Sequence, residues 1–171
     1  YRTVPDRTGR GLAGHSMGGY GAFRIGMKRP DVFSSLYSLS PCCMPPTMRP
    51  QPPLMERIEA MKSPQEVQKA DFAVQAMAAS AAAWSPNPRR PPFYFDLPVE
   101  KSAPRPDVIA RWAANAPISM VHQYIPNMKR YRAIAFDIGD RDVVIAEGED
   151  VMLQASRDMD RILSDYGVEH T

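Results

Sequence analysis

The stretch Arg10-Gly11-Leu12-Ala13-Gly14-His15-Ser16-Met17-Gly18-Gly19 decides the reading of this chain. Its first half is short, small and apolar, which predicts a strand over residues 10–15. From Ser16 onward Tyr20, Phe23, Ile25 and Met27 recur among small residues. That pattern predicts a helix over residues 16–28, which Pro30 stops. At the junction, Gly14-His15-Ser16-Met17-Gly18 fits G-x-S-x-G, a serine on a sharp strand-to-helix turn. Such a turn lifts the serine Oγ clear of the backbone. Glycines are expected at 14 and 18 because strand and helix approach too closely for side chains. The N–H of Met17 points to the same side as the serine, so Met17 is the candidate oxyanion donor. The positive end of the helix dipole adds to it. Ser16 is the candidate nucleophile.

Working outward, residues 32–39 (VFSSLYSL) read as a second strand. Strand, helix and strand in so short a span form a βαβ unit, hence a parallel sheet. The same alternation returns near the other end. Residues 133–138 (AIAFDI) read as a buried strand, and residues 139–142 (GDRD) as a loop at its C-terminal end. Residues 147–166 read as an amphipathic helix with Val151, Ala155, Met159, Ile162 and Tyr166 on one face. Gly167 is its stop, and residues 168–171 open another strand. The fold class is therefore α/β, a parallel sheet with flanking helices.

Between these zones, residues 41–128 read as a proline-rich helical insertion. All but Pro5 and Pro30 of the 18 prolines fall there. A short helix is predicted over residues 54–62. Ser63, Pro64 and Glu66 form a second helix start, continuing through an alanine-rich stretch to Trp84. Residues 85–92 are a loop, Phe93 to Phe95 a short strand or anchor. A further helix covers residues 106–115, and residues 117–124 a helical turn or two.

Composition excludes several classes. With 21 basic and 19 acidic residues, the net charge of +2 gives no reason to expect nucleic acid or an anionic membrane as partner. No apolar run is long enough to span a bilayer. The three histidines and two cysteines show no metal-ligand spacing, and no glycine-rich phosphate loop is present. No metal and no cofactor is therefore expected. Cys42 and Cys43 are adjacent, so they cannot staple distant parts of the chain, and are read as free thiols near the pocket rim. Tyr1 is not a methionine, so the natural start is expected to be missing and localisation is not readable; oligomeric state is not readable either.

A serine nucleophile needs a base, and the base an orienting acid. On this kind of turn the chain order is Ser, Asp or Glu, then His. Asp142, in the loop after the strand over 133–138, is the preferred acid, with Asp140 next; Asp137 lies inside the strand. None of the histidines is a comfortable base. His15 is in the turn, where its side chain should point into the neighbouring packing. His122 precedes the acid and reads as a helix-surface or core histidine. His170 follows it but sits in a strand.

The stretch YRTVPDRTGRGLAGHSMGGYGAFRIGMKRPDVFSSLYSLSPCC, with AFDIGDRD and the final GVEHT, resembles the esterase D-like family of α/β-hydrolases. That group includes S-formylglutathione hydrolases, feruloyl esterases and mycolyl transferases. The resemblance implies an α/β-hydrolase fold, Ser16 as nucleophile, Met17 as one oxyanion donor, Asp142 as triad acid and a small-molecule ester as substrate. Family members place strands before the turn, a second oxyanion donor on an upstream loop, and the histidine a few residues beyond the strand that begins at Val168. The chain is thus expected to be an internal piece of a longer esterase, with residues 1–171 a partial domain and inactive alone. The insertion is expected to shape the substrate pocket. Met44, Met48, Met55, Trp84, Phe93, Tyr94, Phe95 and Trp112 are candidates to line that pocket or to form the insertion's own core.

The leading expectation is a serine carboxylic-ester hydrolase. Acyl transfer to another alcohol is the same chemistry with a different second nucleophile, and a peptidase of the same fold would share the turn and the acid. The alternative from another class is a non-catalytic chain that binds a ligand or partner, prone to self-association along an unpaired sheet edge.

Overall fold

The computed structural model describes residues 3–46, 52–140 and 151–171. Its elements are, in chain order, β1 (Gly11–His15), α1 (Met17–Lys28), β2 (Ser35–Leu39), α2 (Pro52–Ala60), α3 (Pro64–Lys69), α4 (Phe72–Trp84), β3 (Val99–Glu100), β4 (Ala103–Pro104), α5 (Pro106–Ala113), α6 (Pro117–Met128), β5 (Ala133–Asp137) and α7 (Val151–Asp165), after a 3-10 turn at Arg7–Gly9. They fall into two compact units, residues 1–46 with 116–171, and residues 47–115.

The first unit is built on a parallel sheet of order β1-β2-β5. The register places Leu12 beside Leu36 and Ile134, and Gly14 beside Ser38 and Phe136. Alternation along each strand puts these residues on one face. There α1, α6 and α7 supply Phe23, Met27, Val121, Ile125, Met159 and Leu163 to a single core. On α1 the buried residues Gly19, Ala22, Phe23, Gly26 and Met27 follow the spacing of one helical stripe. The stripe is small where it meets the sheet: a Cβ on Gly26 would lie 2.3 Å from Leu36 Cδ1. Tyr37 and Leu39 stand on the opposite face and are exposed among the described residues.

The end of α7 follows the expected stop. Gly167 has φ 62°. Its N–H donates to Ser164 O (2.9 Å), and Val168 N–H to Leu163 O (2.9 Å), the paired bonds of a Schellman motif. The chain then runs beside β5: Thr171 N–H donates to Ile134 O and Phe136 N–H to Thr171 O, both at 3.0 Å. These bonds are those of a further parallel strand, as expected for residues 168–171.

Three sequence expectations need correction. The second strand starts at Ser35, because Val32 and Phe33 N–H groups close a turn on Arg29 O. The helix opened by Ser63 stops at Lys69; Asp71 then caps a separate α4, its carboxylate accepting from Val74 N–H at 3.2 Å. Helix α6 runs three turns to Met128 rather than stopping at 124, with Pro126 in its last turn, where a missing N–H breaks one bond only. This helix packs on α1 and α7, so it belongs to the sheet unit and the second unit ends at Asn115.

The second unit has its own core of Met55, Ile58, Val74, Ala81, Val108 and Trp112. Trp84 meets Trp112 edge to face at 5.1 Å. Ser85 is fully buried: its Oγ accepts from Trp112 Nε1 (2.8 Å) and lies 2.6 Å from Asp96 O and 3.1 Å from Ala81 O. The buried carboxylate of Asp96 receives Asn87 Nδ2 (3.0 Å), Arg105 Nη1 (3.1 Å) and Arg111 Nη2 (3.0 Å). Burial alone would raise its pKa, but these donors outweigh it and hold the carboxyl below its ordinary value. Of the residues expected to line a pocket or fill a separate core, Met55, Phe95 and Trp112 lie in this core, with Trp84 and Phe93 packed against it. Met44 belongs to the core of the sheet unit, Tyr94 is exposed, and Met48 lies outside the described residues.

Candidate active site

Ser16 sits between the last residue of β1 and the first of α1, at the C-terminal edge of the parallel strands, where open α/β sheets place their ligands. Its backbone has φ 56° and ψ −115°. A non-glycine residue is held there only when its surroundings over-determine it, at a cost on the order of 1–3 kcal/mol. Those surroundings are visible. Ser16 N–H donates to Leu39 O at 2.9 Å, and Ser16 O accepts from Tyr20 N–H (3.1 Å) and Cys42 N–H (3.3 Å). Serine is a favoured helix N-cap residue, yet the Ser16 side chain makes no capping bond. Its hydroxyl is therefore not consumed by the helix that follows it. The N–H of Met17, the first residue of α1, has no partner within the helix.

The close approach expected at the turn is real at Gly14, but not at Gly18. A Cβ on Gly14 would lie 2.1 Å from Gly18 O and 2.2 Å from Gly18 C, an overlap no relaxation removes. A Cβ on Gly18 itself would meet nothing within 4 Å among the described residues. The second crowded glycine is Gly19, whose Cβ would reach Ser38 Oγ at 2.9 Å and Pro41 Cα at 3.0 Å. The sequence motif locates the turn, whereas the steric demand on the helix side falls one residue later, on the face turned to β2.

The loop after β2 completes the neighbourhood. Ser40 N–H donates to Asp137 O (2.8 Å), and Ser40 and Cys43 have φ 42° and 59°. Cys42 and Cys43 are half-buried free thiols with Sγ atoms 3.1 Å apart. Hydrogen bonding from the Cys43 side chain, opposed by burial and aided by the Ser16 side chain, lowers Cys42 to about 7. Cys43 is pushed up by the same hydrogen bond, by burial and by the charge on Cys42. Sequence reading places these thiols at a pocket rim; that Cys42 N–H bonds the backbone of Ser16 is not legible there.

The other candidates fall out as follows. Asp142 lies outside the described residues. Asp140 is described, exposed just beyond β5. Asp137 accepts a short hydrogen bond from Tyr37 OH on the sheet face away from the helices, which occupies it. His15 is exposed, against the expectation that it would pack, because alternation turns Leu12 and Gly14 toward the helices and His15 away. His122 is exposed on α6, with Nδ1 3.3 Å from Tyr166 OH. His170 stacks on Phe136, and its ring nitrogens face two acceptors, Val168 O at 2.7 Å and an Asp160 oxygen at 3.0 Å. The strand register puts it three strand spacings from β1 and four residues short of the level of Ser16, roughly 15–20 Å away backbone to backbone. Among the described residues, no group of three or more His, Cys, Asp or Glu side chains is placed to hold a metal ion. No helix among them is long and apolar enough to cross a membrane.

Comparison with known proteins gives the family and the fold. The family described as “Putative esterase” matches residues 1–169. A comparison with curated proteins finds no match. Among solved structures, an S-formylglutathione hydrolase from Staphylococcus aureus superposes with a TM-score of 0.51 at 16% identity, over 98% of this chain and 46% of that one. A ferulic acid esterase superposes with a TM-score of 0.53 at 20% identity, over 100% of this chain and 45% of that one. The chain thus spans less than half the length of these two proteins, and shares with them the α/β-hydrolase fold.

Proposed function

The chain belongs to the esterase family, and from that membership we propose that it carries the nucleophile of a serine carboxylic-ester hydrolase working through a Ser-His-Asp triad. The observation that carries this reading is Ser16, strained at φ 56° with its side chain withheld from capping α1. Strain of this kind is characteristic of functional turns, and in the G-x-S-x-G turn it serves to present the serine hydroxyl at the strand ends.

The chemistry then runs in two halves. Ser16 Oγ attacks the ester carbonyl carbon while a histidine takes its proton. The carbonyl oxygen becomes an oxyanion facing the Met17 N–H, which needs no reorganisation to receive it. The C–O bond breaks, the histidine returns the proton to the departing alcohol, and the acyl group stays on Ser16. Water, activated by the same histidine, releases the acid. Asp142 orients the histidine and offsets its positive charge, with Asp140 the next candidate. In this reading the base comes from outside residues 1–171: His15 faces away from the helices, His122 is exposed beside Tyr166, and His170 is held between two acceptors. Residues 1–171 alone are then a slow or inert esterase. The substrate is a small-molecule carboxylic ester.

Hydrolysis of p-nitrophenyl acetate and butyrate by the whole gene product tests this reading. Turnover that disappears in Ser16→Ala while the fold survives supports it. Turnover that persists in Ser16→Ala removes Ser16 from the chemistry. Turnover by residues 1–171 alone at the rate of the whole protein places the base inside them.

A further inference from the structure

Two thiols stand beside the serine for which ester hydrolysis has no use. Pro41 Cα packs against the first turn of α1 at Gly19, and Cys42 N–H reaches Ser16 O at 3.3 Å. The loop that carries the thiols is thereby tied to the turn that carries the nucleophile. The two Sγ atoms lie 3.1 Å apart, closer than non-bonded sulfurs ordinarily rest, while remaining unbonded. We propose that Cys42 and Cys43 are an oxidative modification site that controls Ser16: a hydroperoxide converts the pair to a vicinal disulfide and switches the serine off. The part that concerns Ser16 rests on the reading of that residue as nucleophile.

The asymmetry of the pair assigns the roles. Cys42 is the attacking sulfur, because the Cys43 and Ser16 side chains both favour its thiolate and bring it to about 7, whereas Cys43 keeps its proton. The Cys42 thiolate attacks the terminal OH oxygen of the peroxide, the O–O bond breaks, and hydroxide leaves from hydrogen peroxide or alkoxide from an organic hydroperoxide; the sulfur becomes a sulfenic acid, oxidised by two electrons as the peroxide is reduced. The Cys43 sulfur then attacks the Cys42 sulfur, forming the S–S bond. The sulfenic oxygen departs with the Cys43 proton as water. Thiol reductants reverse it by exchange. Adjacent residues hold their Cα atoms about 3.8 Å apart, short of the 4.4–6.8 Å or so that relaxed disulfides span. Such a bond is strained and easily reduced, which suits a switch rather than a staple. Forming it shifts Cys42, whose N–H is held on Ser16 O, and reshapes the loop at Cys43, already at φ 59°.

The test treats the whole gene product with dilute hydrogen peroxide and reads two signals. Peptide mass mapping reads the bond itself, independently of Ser16 chemistry: the peptide carrying both cysteines should lose two hydrogens and regain them with dithiothreitol. Fluorophosphonate labelling reads the consequence: Ser16 labelling should fall at least about tenfold on oxidation and return on reduction. In Cys43→Ser the peptide should instead trap dimedone at Cys42 and never lose two hydrogens. Failure of the wild-type peptide to lose two hydrogens overturns the proposal whatever Ser16 does. A disulfide that forms with Ser16 labelling unchanged overturns the control of the serine. Absence of labelling in the reduced protein counts against Ser16 as nucleophile, and with it against the control, while the mass signal still judges the thiol pair.

Discussion

The sheet unit and the unit over residues 47–115 are held by different physics. The first is governed by close approach. Gly14 against Gly18, Gly19 against Ser38 and Pro41, and Gly26 against Leu36 let α1 lie on the strands without side chains between. The second relies on paired polar groups beside its apolar core, with Asp96 held by Asn87, Arg105 and Arg111, and Ser85 joined to Trp112. Steric fit fixes an atom's position with little latitude, which a nucleophile needs. A polar network tolerates variation in the loops around it but fails abruptly when one member goes, because the partner is left buried and unpaired.

The largest effect should come from the proposed nucleophile of the sheet unit. Ser16→Ala should lower ester turnover by on the order of 10⁴–10⁶-fold with little change in melting temperature, read by kinetics beside thermal unfolding. Next is the steric test. Gly14→Ala should cost more than about 4 kcal/mol in urea unfolding, or prevent folding, because its Cβ has no space. The network unit should respond to charge instead. Asp96→Asn should cost about 2–3 kcal/mol, below the full value of a buried pair because Arg105 and Arg111 are partly solvated. Asp96 has a folded pKa below its unfolded value, so the stability it lends is present above about pH 4 and is lost as pH falls through the folded value. In Asp96→Asn that acid-dependent loss should shrink, as an unfolding series from pH 6 to about pH 2 would read. Ser85→Ala should cost about 1–3 kcal/mol by leaving Trp112 Nε1–H unpaired.

The smallest effect separates the motif from its geometry. Gly18→Ala should be neutral or stabilising by up to about 1 kcal/mol, since its Cβ meets open space and alanine favours the helix. A large loss of stability at Gly18, or a mild one at Gly14, would break the distinction between them.

Legibility followed the same division. The strand–serine–helix turn, the parallel sheet and the Gly167 stop were readable, because glycine, proline and apolar periodicity leave few alternatives locally. The residues 47–115 were read poorly. The Ala-rich stretch looks like one helix from Ser63 to Trp84, and only Asp71, as a cap, signals the break. The partnership of Asp96 with Arg105 and Arg111 spans 9 and 15 residues and leaves no periodic trace. At the site itself, Ser16 was legible because a motif compresses the geometry into neighbouring residues. The proximity of Cys42 to Ser16 was not, since it depends on β2 pairing with β1 in one register.

The most direct test of the central claim is a fluorophosphonate reaction with the whole gene product followed by peptide mapping. The account predicts a single adduct on Ser16, absent in Ser16→Ala. A protein that hydrolyses p-nitrophenyl esters but carries its adduct on another serine would contradict it.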